Sequence, residues 1–252
     1  MLKIFMQTLE RLVNKWKSNP QKPIRVVAFG SSNTELHWHS LGHFNWFSWL
    51  SSAMREWIGR HVTTINSGIG GETSEDLLKR IDRDVLSFNP DLVIITIGGN
   101  DTWKGLTIQE YQNFLIQAVE KIREINALPV LQTYYCLLYN QMDKVFEKFP
   151  QIVEINRNLS DKMKIPLIDQ YKYFSPFYEN DPKTYSDLML DGLHVNPLGN
   201  AIMGIIASRT FSLPDPYFSD KSFWNKVKKF LTLMENCIDF PSRIPYPEIK
   251  EE

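Results

Sequence analysis

The run Leu92-Val93-Ile94-Ile95-Thr96-Ile97, closed by Gly98-Gly99, restricts the fold of this chain more than any other segment. It is too short for an independent helix, and it lacks the polar alternation of a strand with one wet face. Such a run fits the central strand of a parallel sheet covered on both faces. Parallel neighbours must be joined by crossovers of about a dozen residues or more, usually helical. The chain supplies the remaining parts. Further strand candidates are Arg25–Phe29, Val62–Ile65, Val130–Thr133 and Pro166–Ile168. Between them Tyr111, Phe114, Leu115, Ala118, Val119 and Ile122 recur at helical steps, as do Leu77, Leu78, Ile81 and Val85. Thr107-x-x-Glu110 and Thr73-x-x-Asp76 begin these periods as capping boxes. Pro197 stands where a further helix begins, at a position where its missing N–H costs little.

The expected fold is α/β: a three-layer α/β/α sandwich around a mostly parallel, five-stranded, doubly wound sheet. Three segments are expected: residues 1–22 as an amphipathic helix packed on the domain, 23–212 as the domain, and 213–252 as a helix and tail. On the first helix Leu2, Phe5, Leu9, Leu12, Val13 and Trp16 share a face that packing claims over a membrane surface. The last helix centres on Phe223, Trp224, Val227, Phe230, Leu231 and Met234, and the Pro-rich stretch from Pro241 reads as a poorly ordered tail.

Apolar residues at 43% and charged residues at 23% give an ordinary core, and a net charge of −1 argues against nucleic acid as a partner. Cys136 and Cys237 are too few for a disulfide framework and read as buried free thiols. Lys3, Glu10, Arg11 and Lys15 interrupt the N-terminal apolar pattern, so a signal peptide is not expected, and no run approaches a membrane span. The expected location is the cytoplasm, without stable membrane insertion.

In an open parallel sheet, ligands bind beyond the carboxyl ends of the strands. Ser32 follows the first strand in Gly30-Ser31-Ser32-Asn33-Thr34, and Asn66-Ser67-Gly68-Ile69-Gly70-Gly71-Glu72-Thr73 follows the second. Gly98-Gly99-Asn100-Asp101 follows the third. Nearer the C-terminus, Asp191-Gly192-Leu193-His194 can place a carboxylate and an imidazole on one turn. The Asp would accept Nδ1–H and leave Nε2 as a base. A hydroxyl, a base, a glycine-rich backbone and an amide are the parts of an acyl-transfer site.

Together these four segments resemble the SGNH hydrolases, or GDSL esterases and lipases, whose fold is flavodoxin-like. Gly30-Ser31-Ser32 matches the Gly-Asp-Ser block, the stretch from Asn66 to Thr73 the second, Gly98 to Asp101 the Gly-x-Asn-Asp block, and Asp191 to His194 the Asp-x-x-His block. The resemblance implies Ser32 as nucleophile, His194 as base and Asp191 as its orienting acid. It implies an oxyanion hole of the Ser32 and Gly71 N–H groups with the Asn100 amide. No cofactor is implied, and the partner is a small-molecule ester. Two positions depart from the pattern: Ser31 stands for the Asp, and Val195 where proline is frequent.

The rival motifs fail on spacing. Ser32 lacks the following Gly of an α/β-hydrolase elbow, and Thr73 stands where a dinucleotide fingerprint needs its third glycine. His37, His39 and His43 raise the alternative of a metal site; no carboxylate cluster accompanies them, and His37 and Trp38 are expected to line the substrate cleft. Trp46, Trp49 and Trp57 read as core, Trp38 or Trp103 as a sugar-stacking surface, and Asp101 as a loop-ordering group.

The expected function is hydrolysis of short-acyl or acetyl esters, such as those on a carbohydrate, through a Ser-His-Asp triad and an acyl-enzyme. The alternatives are an O-acetyltransferase with the same site and a non-catalytic carbohydrate-binding protein, the latter motivated by Ser31.

Overall fold

The computed structural model describes residues 2–36 and 38–246, and the side chains of all of these except 2–6 and 38. In chain order the main elements are α1 (Leu2–Lys17), β1 (Ile24–Gly30), α2 (Trp46–Trp57), β2 (Val62–Gly68), α3 (Ser74–Asp84) and β3 (Leu92–Thr96). Next come α4 (Gly99–Trp103), α5 (Ile108–Glu124), β4 (Leu128–Gln132), α6 (Phe149–Met163) and β5 (Leu167–Ile168). The chain ends with α7 (Gln170–Asn180), α8 (Pro182–Tyr185), α9 (Pro197–Thr210) and α10 (Lys221–Glu235).

The strands form one sheet in the order β2-β1-β3-β4-β5, every neighbouring pair parallel. Successive side chains point to opposite faces and build two cores. Val26, Ala28, Leu92, Ile94 and Val130 face the core shared with α1, α2, α9 and α10. Val27, Phe29, Val93, Ile95 and Leu131 face the core of α3, α5 and the Ile152–Leu159 side of α6. This double burial explains why β3 reads as a nearly continuous apolar run. The parallel order puts the carboxyl ends of β1, β2 and β3 side by side.

The capping boxes at Thr73 and Thr107 form, and Pro197 takes the first turn of α9 behind the Asn196 cap. Strand β4 begins two residues earlier than expected and includes Pro129, paired with Val93. Leu128 N–H points to Asp91 on the β3 side, whereas Leu131 N–H points to Pro166 on the β5 side. By alternation, the donor that Pro129 lacks would face β5 before that strand has begun, so the ladder loses little.

On α1, Leu9, Val13 and Trp16 are buried in the core, while the side chains of Leu2 and Phe5 lie outside the description. Trp46 is fully buried and Trp49 packs on Phe218. The expectation of a poorly ordered tail fails for residues 241–246. Pro241 is buried, its carbonyl accepts from Arg209 Nη1, and Tyr246 packs on Trp57. An internal guanidinium and an aromatic ring outweigh the Pro-rich composition there. Residues 247–252 lie outside the described residues.

Candidate active site

Gly30 ends β1 because the chain there passes hard against β3: a Cβ would lie 2.4 Å from Thr96 O. Beyond it a tight turn forms, with Thr34 and Glu35 N–H donating to Ser31 O. Ser32 sits inside this turn, 8% exposed. Its Oγ lies 2.9 Å from His194 Nε2, across 162 residues of sequence. His194 Nδ1 in turn lies 2.9 Å from Asp191 Oδ2. The carboxylate therefore holds Nδ1–H, and Nε2 is left to accept the serine proton.

Asp191 is fixed as well. Its Oδ1 accepts the Leu193 and His194 N–H groups at 2.7 Å each, and Leu190 N–H closes the turn on His194 O. Burial raises the Asp191 pKa, but the hydrogen bonds from the His194 ring and from the Leu193 and His194 amides outweigh it, leaving the value lowered to about 2. The group is an anion wherever an esterase works.

The glycine-rich loop after β2 lies against this hydroxyl. A Cβ on Gly70 would come within 3.7 Å of Ser32 Cβ. Gly70 N–H is spent on Glu35 Oε2 at 3.1 Å, whereas Gly71 N–H and Ser32 N–H have no protein acceptor among the described residues. Gly71 has φ +79°, a conformation that favours glycine. Asn100 donates one Nδ2–H to Glu72 O at 2.8 Å, which leaves its second N–H available. Asp101 orders the same region: its Oδ1 accepts both Ser74 N–H and Ser74 Oγ–H, and burial raises its pKa against the pull of those bonds.

The described histidines of this segment lie against different rings. His39 stacks on His194 with centroids 3.9 Å apart, His43 stacks on Phe223, and His37 lies outside the described residues. No cluster of three or more metal-ligating side chains occurs among the described residues. The Trp38 side chain is likewise outside the description. Trp103, one helical turn beyond Asn100, is 56% exposed and stacked on Phe146. A groove of about 510 Å³ runs between α2 and β2, lined by Leu36, Phe44, Ser48, Arg55 and Asn66 among others.

Several residues escaped the sequence reading. Arg80 is buried, donates to Gly30 O and pairs with Glu72 Oε2 at 2.6 Å, joining the serine strand to the glycine loop. Its signal was a charge on the apolar Leu77–Ile81 face of α3. Ser31, in place of the aspartate, bonds Tyr134 Oη at 3.0 Å. The sequence held no sign of that partner, 103 residues away.

A family model for the GDSL-like lipase/acylhydrolase family matches residues 28–202, a span that contains all four segments. The chain belongs to this family. As a member it is a carboxylic ester hydrolase, and its five-stranded parallel sheet flanked by helices is the SGNH hydrolase fold. This hydrolase is 28% identical over 203 residues to the uncharacterized lipoprotein YqeF of Bacillus subtilis, covering 69% of this chain and 81% of that protein. It is 25% identical over 149 residues to thioesterase 1/protease 1/lysophospholipase L1 of Escherichia coli, covering 59% and 66%. The crystal structure of Axe2, an acetylxylan esterase from Geobacillus stearothermophilus, superposes with a TM-score of 0.63 at 19% identity, covering 75% of this chain and 94% of that one. No described helix of the hydrolase is long and apolar enough to cross a membrane.

Proposed function

We propose that the chain hydrolyses short-acyl esters, acetyl foremost, of a carbohydrate alcohol through an acyl-enzyme on Ser32. The observation that carries this reading is the unbroken line from Ser32 Oγ to His194 Nε2 and from His194 Nδ1 to Asp191, 2.9 Å at each step. As Oγ attacks the ester carbonyl, its proton passes to Nε2 and the imidazolium is stabilised by Asp191. The oxyanion is received by the Ser32 and Gly71 N–H groups and the second Asn100 N–H, none of which has a protein acceptor among the described residues. Collapse breaks the ester C–O bond, and Nε2 returns the proton to the departing alcohol. Water then gives a proton to Nε2 and attacks the acyl carbon, the bond from that carbon to Oγ breaks to release the acid, and Nε2 returns its proton to Ser32 Oγ.

The acetyl preference is supported by the esterase Axe2 of like fold, and a sugar alcohol by the hydroxyl-lined groove beside Leu36 and by exposed Trp103. Ser31, once the motive for a non-catalytic reading, is bonded to Tyr134 and leaves the serine turn supported. The test is p-nitrophenyl acetate hydrolysis by the wild type and by Ser32→Ala, followed by a series of longer acyl esters. Rates should fall with acyl length and vanish in the variant. Equal rates for the two proteins would overturn the reading. Acetyl transfer to an added sugar outpacing release of acetate would assign an acetyltransferase instead.

A further inference from the structure

Two consecutive tyrosines leave the carboxyl end of β4, and their hydroxyls reach the segments on either side of the Ser32–His194 contact. Tyr135 is fully buried. Its hydroxyl lies 2.5 Å from Oδ1 of Asn33, the residue after Ser32, and 2.5 Å from the carbonyl of Leu193, the residue before His194. The hydroxyl has a single proton, so it donates to only one of these two oxygens at a time. The same oxygen accepts the N–H of Val195, the residue after His194, at 3.0 Å. Val195 is 2% exposed, and its N–H has no other acceptor among the described residues, so loss of the hydroxyl would strand a buried donor.

Among the described residues no backbone hydrogen bond runs between residues 31–35 and 190–196. The two loops are nonetheless required to meet within hydrogen-bonding distance. The Tyr135 hydroxyl bonds both of them, and its ring is held between Phe174 at 5.7 Å and Tyr134 at 6.2 Å. Tyr134 supports the same turn through Ser31. We propose that Tyr135 is a positioning residue, whose hydroxyl ties the neighbours of Ser32 to the neighbours of His194 and so sets the Oγ–Nε2 separation. The proposal rests on the acyl-transfer reading above. It also accounts for Val195: a residue with an N–H at that position needs an acceptor, and Tyr135 is the acceptor.

The test is Tyr135→Phe, which keeps the ring and removes the hydroxyl. We expect kcat for p-nitrophenyl acetate to fall roughly 10- to 100-fold with KM nearly unchanged, the order of loss that a misplacement of about 1 Å produces. Inactivation of Ser32 by phenylmethylsulfonyl fluoride should slow by a similar factor, since it reads the attack without the ester. Adding Val195→Pro to Tyr135→Phe removes the stranded donor and should restore part of kcat. Wild-type kcat and inactivation rate in folded Tyr135→Phe would overturn the proposal. So would losses that merely track the unfolded fraction in thermal melts. If Tyr135→Phe does not fold, Asn33→Ala cuts the serine-side end of the tie and should show the same drop, and an unchanged rate there would also overturn it. A wild type without Ser32-dependent activity defeats the acyl-transfer reading instead, so the two failures are distinct.

Discussion

Asn100 donates its side-chain N–H to the backbone oxygen of Glu72 at 2.8 Å, which ties the loop after β3 to the loop after β2 one residue beyond Gly71. Two of the three donors assigned to the oxyanion are thereby held in one unit. We expect Asn100→Ala to lower kcat about 10²- to 10³-fold, the usual cost of one such donor. Steady-state kinetics on p-nitrophenyl acetate, beside a melting curve to show the fold is kept, check this.

Gly68 is where β2 touches the serine turn. A methyl group there would lie 2.3 Å from Glu35 N and 2.6 Å from Thr34 C, both backbone atoms that cannot swing away. Gly68→Ala should therefore cost about 1–3 kcal/mol of stability by overpacking. It should also depress kcat, because the displaced turn carries Ser32. Urea unfolding and esterase rates measured on the same preparation test both halves.

The Asp191 carboxyl has a folded-state pKa of about 2, below the roughly 3.9 of an unfolded chain. A lowered value means that the unfolded state takes up the proton first as pH falls. The contribution of Asp191 to stability is thus fully present above about pH 4 and is lost progressively toward about pH 2. Because the side chain is 44% exposed, solvent screening keeps the effect small. Between those limits the wild type should lose more stability than Asp191→Asn, measured as the pH dependence of the urea midpoint.

Arg209 on α9 grips Asp215 with two parallel bonds, at 2.8 and 3.0 Å, where the two side chains are only 4% and 1% exposed. Removing the guanidinium strips the buried carboxylate of both short bonds and leaves it only the longer ion pair to Arg243 Nε at 3.8 Å. Arg209→Met should destabilise the chain by about 3–5 kcal/mol. It should also loosen residues 241–246, whose Pro241 carbonyl the same guanidinium holds. Thermal unfolding reads the first effect, and the rate of limited proteolysis at 241–246 the second.

Much of this is legible in the sequence. Thr73 and Thr107 announced their helices because a capping box is local: donor and acceptor stand three residues apart. The nearly continuous apolar run of β3 announced a sheet buried on both faces. Ser32 was legible as the hydroxyl following the first strand, and Asp191 with His194 because both lie on one four-residue turn. Arg80, Tyr134 and Tyr135 were not, since each acts on a partner tens of residues away and would otherwise read as surface charge or core aromatic. The ordered stretch 241–246 was hidden for the same reason, its anchors being Arg209 and Trp57.

By itself, then, the sequence determined the strand-helix alternation, the parallel sheet and the residue types at its carboxyl edge, because periodicity, caps and turns are properties of neighbouring residues. Only the tertiary structure decided that Ser32 and His194, 162 residues apart, stand 2.9 Å from each other, and which buried hydroxyl lies between their loops. Spacing within a turn is set by covalent geometry. Spacing between turns is set by packing, and packing is a property of the whole chain.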